Sequence, residues 1–251
     1  MIHSLFEWSF QQSTVSWCRI SLAGNSAAAL LSILGCWLIA RLFRRHPIFE
    51  APQPVTVSDL LYCAGSIGLN SVVAIIGWLL WKSGWIIVHH GSFLQGLADT
   101  LLLIFIMDFA MYCLHRVAHH PLLYRVIHGT HHVHESTNPV SLFVLNPFEV
   151  LGFGSLLIAV LMLLSFSEGA ILLYLSFNMI CGTIGHLGVE PLPIRLMRFP
   201  LLRYLGTSTF HGLHHADRGF NFGFYTTLWD RLFHTLHPGY DARFLSRSPK
   251  R

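Results

Sequence analysis

The chain has 251 residues, 53% of them hydrophobic and only 11% charged, and its mean hydropathy is +0.54. Soluble domains carry about 25% charged residues, so this composition argues against an ordinary water-soluble domain and points to the bilayer. The net charge of +4 comes without clustered basic residues and interleaved aromatics, which argues against a nucleic-acid surface.

The first 20 residues hold Glu7 and Arg19 and lack a basic start followed by an apolar run, so no cleavable signal peptide is expected. Four or five segments are long enough to cross about 30 Å of hydrocarbon at 1.5 Å per residue. They run from about 25 to 43, 60 to 81, 97 to 114 (carrying Asp99 and Asp108), 150 to 166 and 170 to 185. The last two are separated so tightly that a helical hairpin is expected. The piece 85–93 is too short to span and reads as re-entrant or interfacial. Cys18, Cys36, Cys63, Cys113 and Cys181 are scattered without a C-x-x-C pair, as expected of small buried residues rather than a disulfide framework. The expected fold is all-α: an integral membrane bundle of four or five helices with a helical cap.

Basic residues set the orientation. Arg41, Arg44 and Arg45 follow the first span, which puts that loop in the cytoplasm. Counting onward, residues 116–147 and the tail from His186, with Arg195, Arg198, Arg203, Arg218 and Arg231, are cytoplasmic too.

Seven of the 17 histidines fall between His115 and His134. They read H-x3-H (His115, His119) and H-x2-H-H (His128, His131, His132), and the second pattern returns at His211, His214 and His215. Residues three or four apart share a helix face, so each group aims several imidazoles at one point. Eight ligands exceed the needs of one ion, and a two-metal centre is expected on the cytoplasmic side. His119 is the better partner for His115, because His120 lies about 140° around the helix. His186 closes the last span at the same depth as a ninth candidate. His134 is out of phase and reads as a surface or supporting residue.

Asp108 and Tyr112 lie on the helix face of His115. A carboxylate within a membrane helix needs a partner, and metal-bound histidines commonly donate their free N–H to one; Asp108 is assigned that role. His3, His46, His89, His90, His234 and His237 are expected at solvent or interfaces. Imidazole suits iron, zinc, copper and nickel, so spacing leaves the metal open. There is no H-E-x-x-H and no E-x-x-H pair, which argues against a zinc protease and a carboxylate-bridged di-iron bundle.

Four stretches then carry a family likeness: Asp108–His120 (D-F-A-M-Y-C-L-H-R-V-A-H-H), His128–His132 (H-G-T-H-H), His211–His215 (H-G-L-H-H), and Asn221–Phe233 with Trp229-Asp230-Arg231. The chain resembles the fatty acid hydroxylase/sterol desaturase superfamily of membrane oxygenases from about residue 97 to 235. The resemblance implies a division into membrane helices (1–94), the di-iron domain (95–240) and a tail (241–251). It implies that His115, His119, His128, His131, His132, His186, His211, His214 and His215 hold two irons. O2 and electrons from a separate electron-transfer protein would then hydroxylate or desaturate a lipid arriving from the bilayer. Asp230 is read as half of an ion pair with an arginine. Two departures stand out: Asn146-Pro147 where many members have His-Pro, and His234 where many have glycine, which makes His234 a candidate lining of the active-site cap. A membrane metal carrier and a catalytically silent family member are the competing readings.

Overall fold

The computed structural model describes residues 2–48, 51–195 and 199–245; Arg198 and the tail beyond 245 lie outside these. The protein is mostly helical. A short α1 (Ile2–Gln11) precedes α2 (Thr14–Leu42), α3 (Val57–Lys82), α4 (Phe93–Ala118), α5 (Pro121–Ile127), α6 (Pro147–Leu163) and α7 (Glu168–Gly185). Three small helices follow: α8 (Ser208–Ala216), α9 (Leu228–Leu232) and α10 (Tyr240–Leu245). Among the described residues, α2, α3, α4 and α7 are long and apolar enough to cross a membrane, and α6 is a shorter apolar helix of 17 residues. The chain is a multi-pass membrane protein.

Its helices are inside-out relative to a soluble bundle. Leu31, Leu61, Leu101 and Leu163 are 61–81% exposed, whereas Ser21, Ser32, Ser66 and Ser71 are buried between helices. In hydrocarbon, apolar side chains gain nothing by leaving the lipid, so close packing and interhelical hydrogen bonds hold helices together. Ser32 Oγ meets Thr183 Oγ1 at 2.7 Å, tying α2 to α7. Gly154 brings α6 hard against α3, since a Cβ there would sit 2.7 Å from Val73.

The helix ends sort into two levels. The last turn of α4, the start of α6 and the start of α3 meet at one level, where His115 Nε2 lies 2.9 Å from His128 Nε2, His128 Nδ1 faces Glu149 Oε1 and the His134 ring meets Asp59. The end of α2 joins the end of α7, with Ile48 N–H donating to the Gly188 carbonyl. Every histidine of the three boxes lies at this level. At the other level, Trp78 Nε1 donates to the Ser9 carbonyl, and β1 (Val88–His89) pairs in parallel with β2 (Phe166–Ser167). The short piece after α3 is thus an extended strand whose backbone is satisfied by the α6–α7 connection.

Two expectations are revised. The first span starts at Thr14, well before residue 25, because Ser13 caps its N-terminus by accepting from Ser16 N–H. And α6 and α7, although joined by only Leu164–Ser167, pack chiefly on other helices rather than on each other, α6 on α3 and α7 on α4. Leu103, Met107 and Met111 of α4 form a core with Val160 of α6 and Ala170 and Tyr174 of α7.

Candidate metal centre

All nine expected histidines converge, and they divide into two sets. His115, His119, His128, His132 and His214 form one; His131, His186, His211 and His215 form the other, with ligand atoms in each set within 4.8 Å of one another. The division follows from local geometry. His128 and His132, like His211 and His215, are four residues apart and turn the same way, while His131 and His214 face oppositely. Each adjacent pair, His131-His132 and His214-His215, therefore serves both sets. The sets share a wall: the His132 and His215 rings stack at 4.7 Å. His120 lies outside both sets, exposed and capping α5.

Nitrogen bookkeeping shows that these residues fit metal ions. His115 Nδ1 donates to the Phe222 carbonyl at 2.8 Å, His214 Nδ1 to the Phe220 carbonyl at 2.7 Å and His215 Nδ1 to the His134 carbonyl at 2.8 Å. His128 Nδ1 faces Glu149 Oε1 at 2.8 Å, and His186 Nδ1 faces Ser141 Oγ at 2.9 Å. A neutral imidazole carries one N–H. With that hydrogen spent on Nδ1, Nε2 is a bare lone pair. Yet His115 Nε2 and His128 Nε2 lie 2.9 Å apart, and the lone pairs of His186 Nε2 and His215 Nε2 both face His211 Nε2, at 3.0 and 3.1 Å, which has at most one hydrogen for the two. Lone pairs at such separations repel unless a cation lies among them. His132 and His214 each present a buried Nε2 with no protein partner. Burial keeps the rings neutral, pushing His128 and His214 down to about 3 and His131 to about 4, and His132 and His215 well below the usual imidazole range.

Supporting contacts depart from expectation in several places. Asp108 touches no histidine. It accepts from the backbone N–H groups of Tyr225 and Thr226, from Thr226 Oγ1 at 2.6 Å and from Trp229 Nε1 at 3.0 Å. The membrane carboxylate finds its partners in the C-terminal segment and pins that segment to α4. Asp230 is not paired with an arginine; Arg231 pairs with Asp241 at 2.9 Å. Asp230 instead accepts from Phe222 N–H at 2.8 Å, Gly223 N–H at 2.7 Å and Thr235 Oγ1 at 2.7 Å. Tyr112 reaches the same place through Thr235 Oγ1, at 3.1 Å, and packs on Phe222 and Phe233. Asp230 and Tyr112 therefore support the metal centre through the 220–223 loop, whose carbonyls orient His115 and His214. Asn221 turns that loop with φ of 60°, its side chain held by the Phe210 carbonyl and His237 N–H.

His234 does not line the site. It is exposed at φ of 57°, a left-handed position that suits glycine. His134 is buried: its ring meets Asp59 at 3.2 Å and its carbonyl holds His215. Glu149 escaped the sequence reading. It sits in the first turn of α6, after the Asn146 cap and Pro147, 4% exposed, with Oε2 lacking a partner. An acid in a capped first turn, opening an apolar helix at the level of the boxes, is the signal that would have found it. Replacing this carboxyl by Glu149→Gln should lower metal affinity by about 10–100-fold, the usual effect of losing a carboxylate behind a ligand imidazole. Iron titration with a competing chelator measures this.

Fold and site together define a multi-pass membrane protein with an all-histidine, two-compartment metal centre at one end of its bundle. The chain belongs to the fatty acid hydroxylase family, whose profile matches residues 100–235, more than half its length. It is 29% identical over 222 residues to very-long-chain aldehyde decarbonylase GL1-7 of Oryza sativa subsp. japonica, covering 80% of this chain and 33% of the relative. It is 32% identical to GL1-6 of Oryza sativa subsp. indica over 147 residues (55% and 23%) and 28% identical to very-long-chain aldehyde decarbonylase CER1 of Arabidopsis thaliana over 145 residues (55% and 23%). The chain thus spans a third or less of the length of these curated relatives. No solved structure matches it.

Proposed function

We propose that the protein is a membrane-bound, O2-dependent di-iron oxidoreductase that hydroxylates or desaturates a lipid. The observation that carries this reading is the pair of adjacent imidazole sets with Nε2 lone pairs converging at each. His115, His119, His128, His132 and His214 would hold one iron, and His131, His186, His211 and His215 the other. Bound there, the iron pair supplies O2 reduction and the oxidising power to attack an unactivated C–H bond. The chain's own part is to fix the ligands. The Phe220, Phe222 and His134 carbonyls lock three imidazoles in the Nδ1–H tautomer, leaving Nε2 to ligate. Near-complete burial of His115, His128, His214 and His215, at 0–1% exposure, keeps bulk water from the centre.

A lipid substrate is supported by an apolar groove of about 300 Å³ beside the site. Leu61, Tyr62 and Leu69 of α3 line one side, and Leu145 and Pro147 the other. Its lining residues Leu145 and Pro147 belong to the same stretch of chain as Val144, whose carbonyl faces His131 Nδ1 at 3.4 Å, and Glu149, which meets His128. Leu61 is 69% exposed, so the groove opens on the outer face of α3. The names of the plant relatives favour a very-long aliphatic chain. Arg41, Arg44 and Arg45 follow the same end of α2 and support a cytoplasmic centre, where a separate electron-transfer protein would dock.

Lipid profiling by mass spectrometry of cells with and without the gene tests this. The expected product gains one oxygen or loses two hydrogens, and vanishes with His131→Ala. A hydrocarbon one carbon shorter than an aldehyde precursor would assign the relatives' named chemistry instead. An unchanged lipidome accompanied by metal uptake into vesicles would favour a carrier.

A further inference from the structure

A second group of ligating side chains lies at the opposite level of the bundle. Parallel pairing sets Val88 opposite Phe166 and His89 opposite Ser167. The next residues in the same direction are His90 and Glu168, so the strand register itself brings an imidazole to a carboxylate. Helix α1 adds His3. His3 Nδ1 lies 2.9 Å from Glu168 Oε1, and His90 Nδ1 lies 3.4 Å from Glu168 Oε2. The two rings are 4.8 Å apart, and one ligand atom from each of the three residues falls within 4.8 Å of the others.

Charge pairing alone accounts for one imidazole on Glu168. Two neutral rings can each donate Nδ1–H to one oxygen of Glu168, but the three groups also bring their ligand atoms together at one point, where a divalent ion takes the place of the two hydrogens. An independent feature points the same way: His3 Nε2, the nitrogen left over, lies 3.2 Å from Glu7 Oε1 on the next turn of α1. Metal-bound imidazoles are held in this manner, with the remaining N–H donated to a carboxylate. The surroundings are fixed as well. Asp99 Oδ2 accepts from Ser167 N–H at 2.9 Å and meets His89 Nε2 at 3.3 Å, so the strand pair cannot slide without breaking this latch.

We propose that His3, His90 and Glu168 form a binding site for a divalent transition ion of the zinc type, distinct from the nine-histidine centre. Two imidazoles and one carboxylate, with a position left open to solvent, are a zinc donor set. His3 and His90 side chains are 49% and 68% exposed, so the ion is reached from the aqueous phase. Bound there, it clamps α1 and the α3–α4 connection to the first turn of α7. This proposal does not depend on the reaction assigned to the other centre.

The test uses the full-length, iron-loaded protein in detergent, dialysed against micromolar zinc chloride, with zinc and iron per chain counted by mass spectrometry. The wild type is expected to gain one zinc with its iron unchanged. His90→Ala, an exposed position that folding does not require, and Glu168→Gln should both lose that zinc and keep their iron. Glu7→Gln should retain the site with affinity weakened by about 10–100-fold. Equal zinc uptake by wild type and His90→Ala overturns the proposal. So does a wild type that takes up none, or one whose zinc displaces its iron.

Discussion

Replacing His131 by alanine is expected to halve the iron bound per chain and reduce product below detection, whereas His119→Ala should retain both ions. The difference follows from the unequal sets. His131 belongs to the four-imidazole set, where its loss leaves three ligands; His119 belongs to the five-imidazole set, where four remain. His119 is also only half-buried, unlike His128, His132 and His214 beside it. Four nitrogen ligands hold ferrous iron; three hold it weakly, because iron binds a given imidazole set less tightly than zinc does. Metal analysis and lipid profiling on the two variants, side by side with wild type, measure the contrast. Equal iron loss in both would show that the sets do not bind separately.

The second large effect is expected at Asp108, through stability rather than chemistry. Asp108→Ala deletes the acceptor for four donors: two backbone N–H groups, the Thr226 hydroxyl and the Trp229 indole. Each buried donor left without a partner costs roughly 1–3 kcal/mol, and a combined loss of about 4 kcal/mol is at the severe end for one substitution. At roughly 2–4 °C per kcal/mol for a chain of this size, the melting temperature should fall by about 10 °C. Asp108→Asn keeps one acceptor oxygen and should fall between. Because the pinned segment adjoins the 220–223 loop, iron affinity should drop with stability in both variants. Unfolding in detergent followed by circular dichroism gives the comparison; an unchanged Asp108→Ala midpoint would contradict the pinning role.

What the sequence revealed follows from the range of each interaction. The box histidines were legible because helical periodicity is local: positions 115 and 119, or 211 and 215, share a face wherever the helix lies. Their common level followed from counting spans. His186 was legible for the same reason, closing the last span at matching depth. By contrast, the partners of Asp108 lie 117 to 121 residues away. Periodicity says that such a carboxylate needs donors, not which ones arrive. The nearest histidine on its own helix was the natural choice, and it was wrong because the C-terminal segment folds back over α4. Asp230 shows the same limit, since a neighbouring arginine in sequence lost out to backbone donors eight residues away. The cluster of His3, His90 and Glu168 was invisible because it depends on a two-residue strand pair bridging positions 78 apart.

The doublets His131-His132 and His214-His215 have one more implication. Each is a pair of neighbours on a single stretch of backbone, yet its members face different compartments. An ion entering either compartment immobilises both stretches and so prepares the other compartment for its own ion. In the wild type the second ion should accordingly bind more tightly than the first, and a variant that fills only one compartment should hold its ion more weakly than the wild type does.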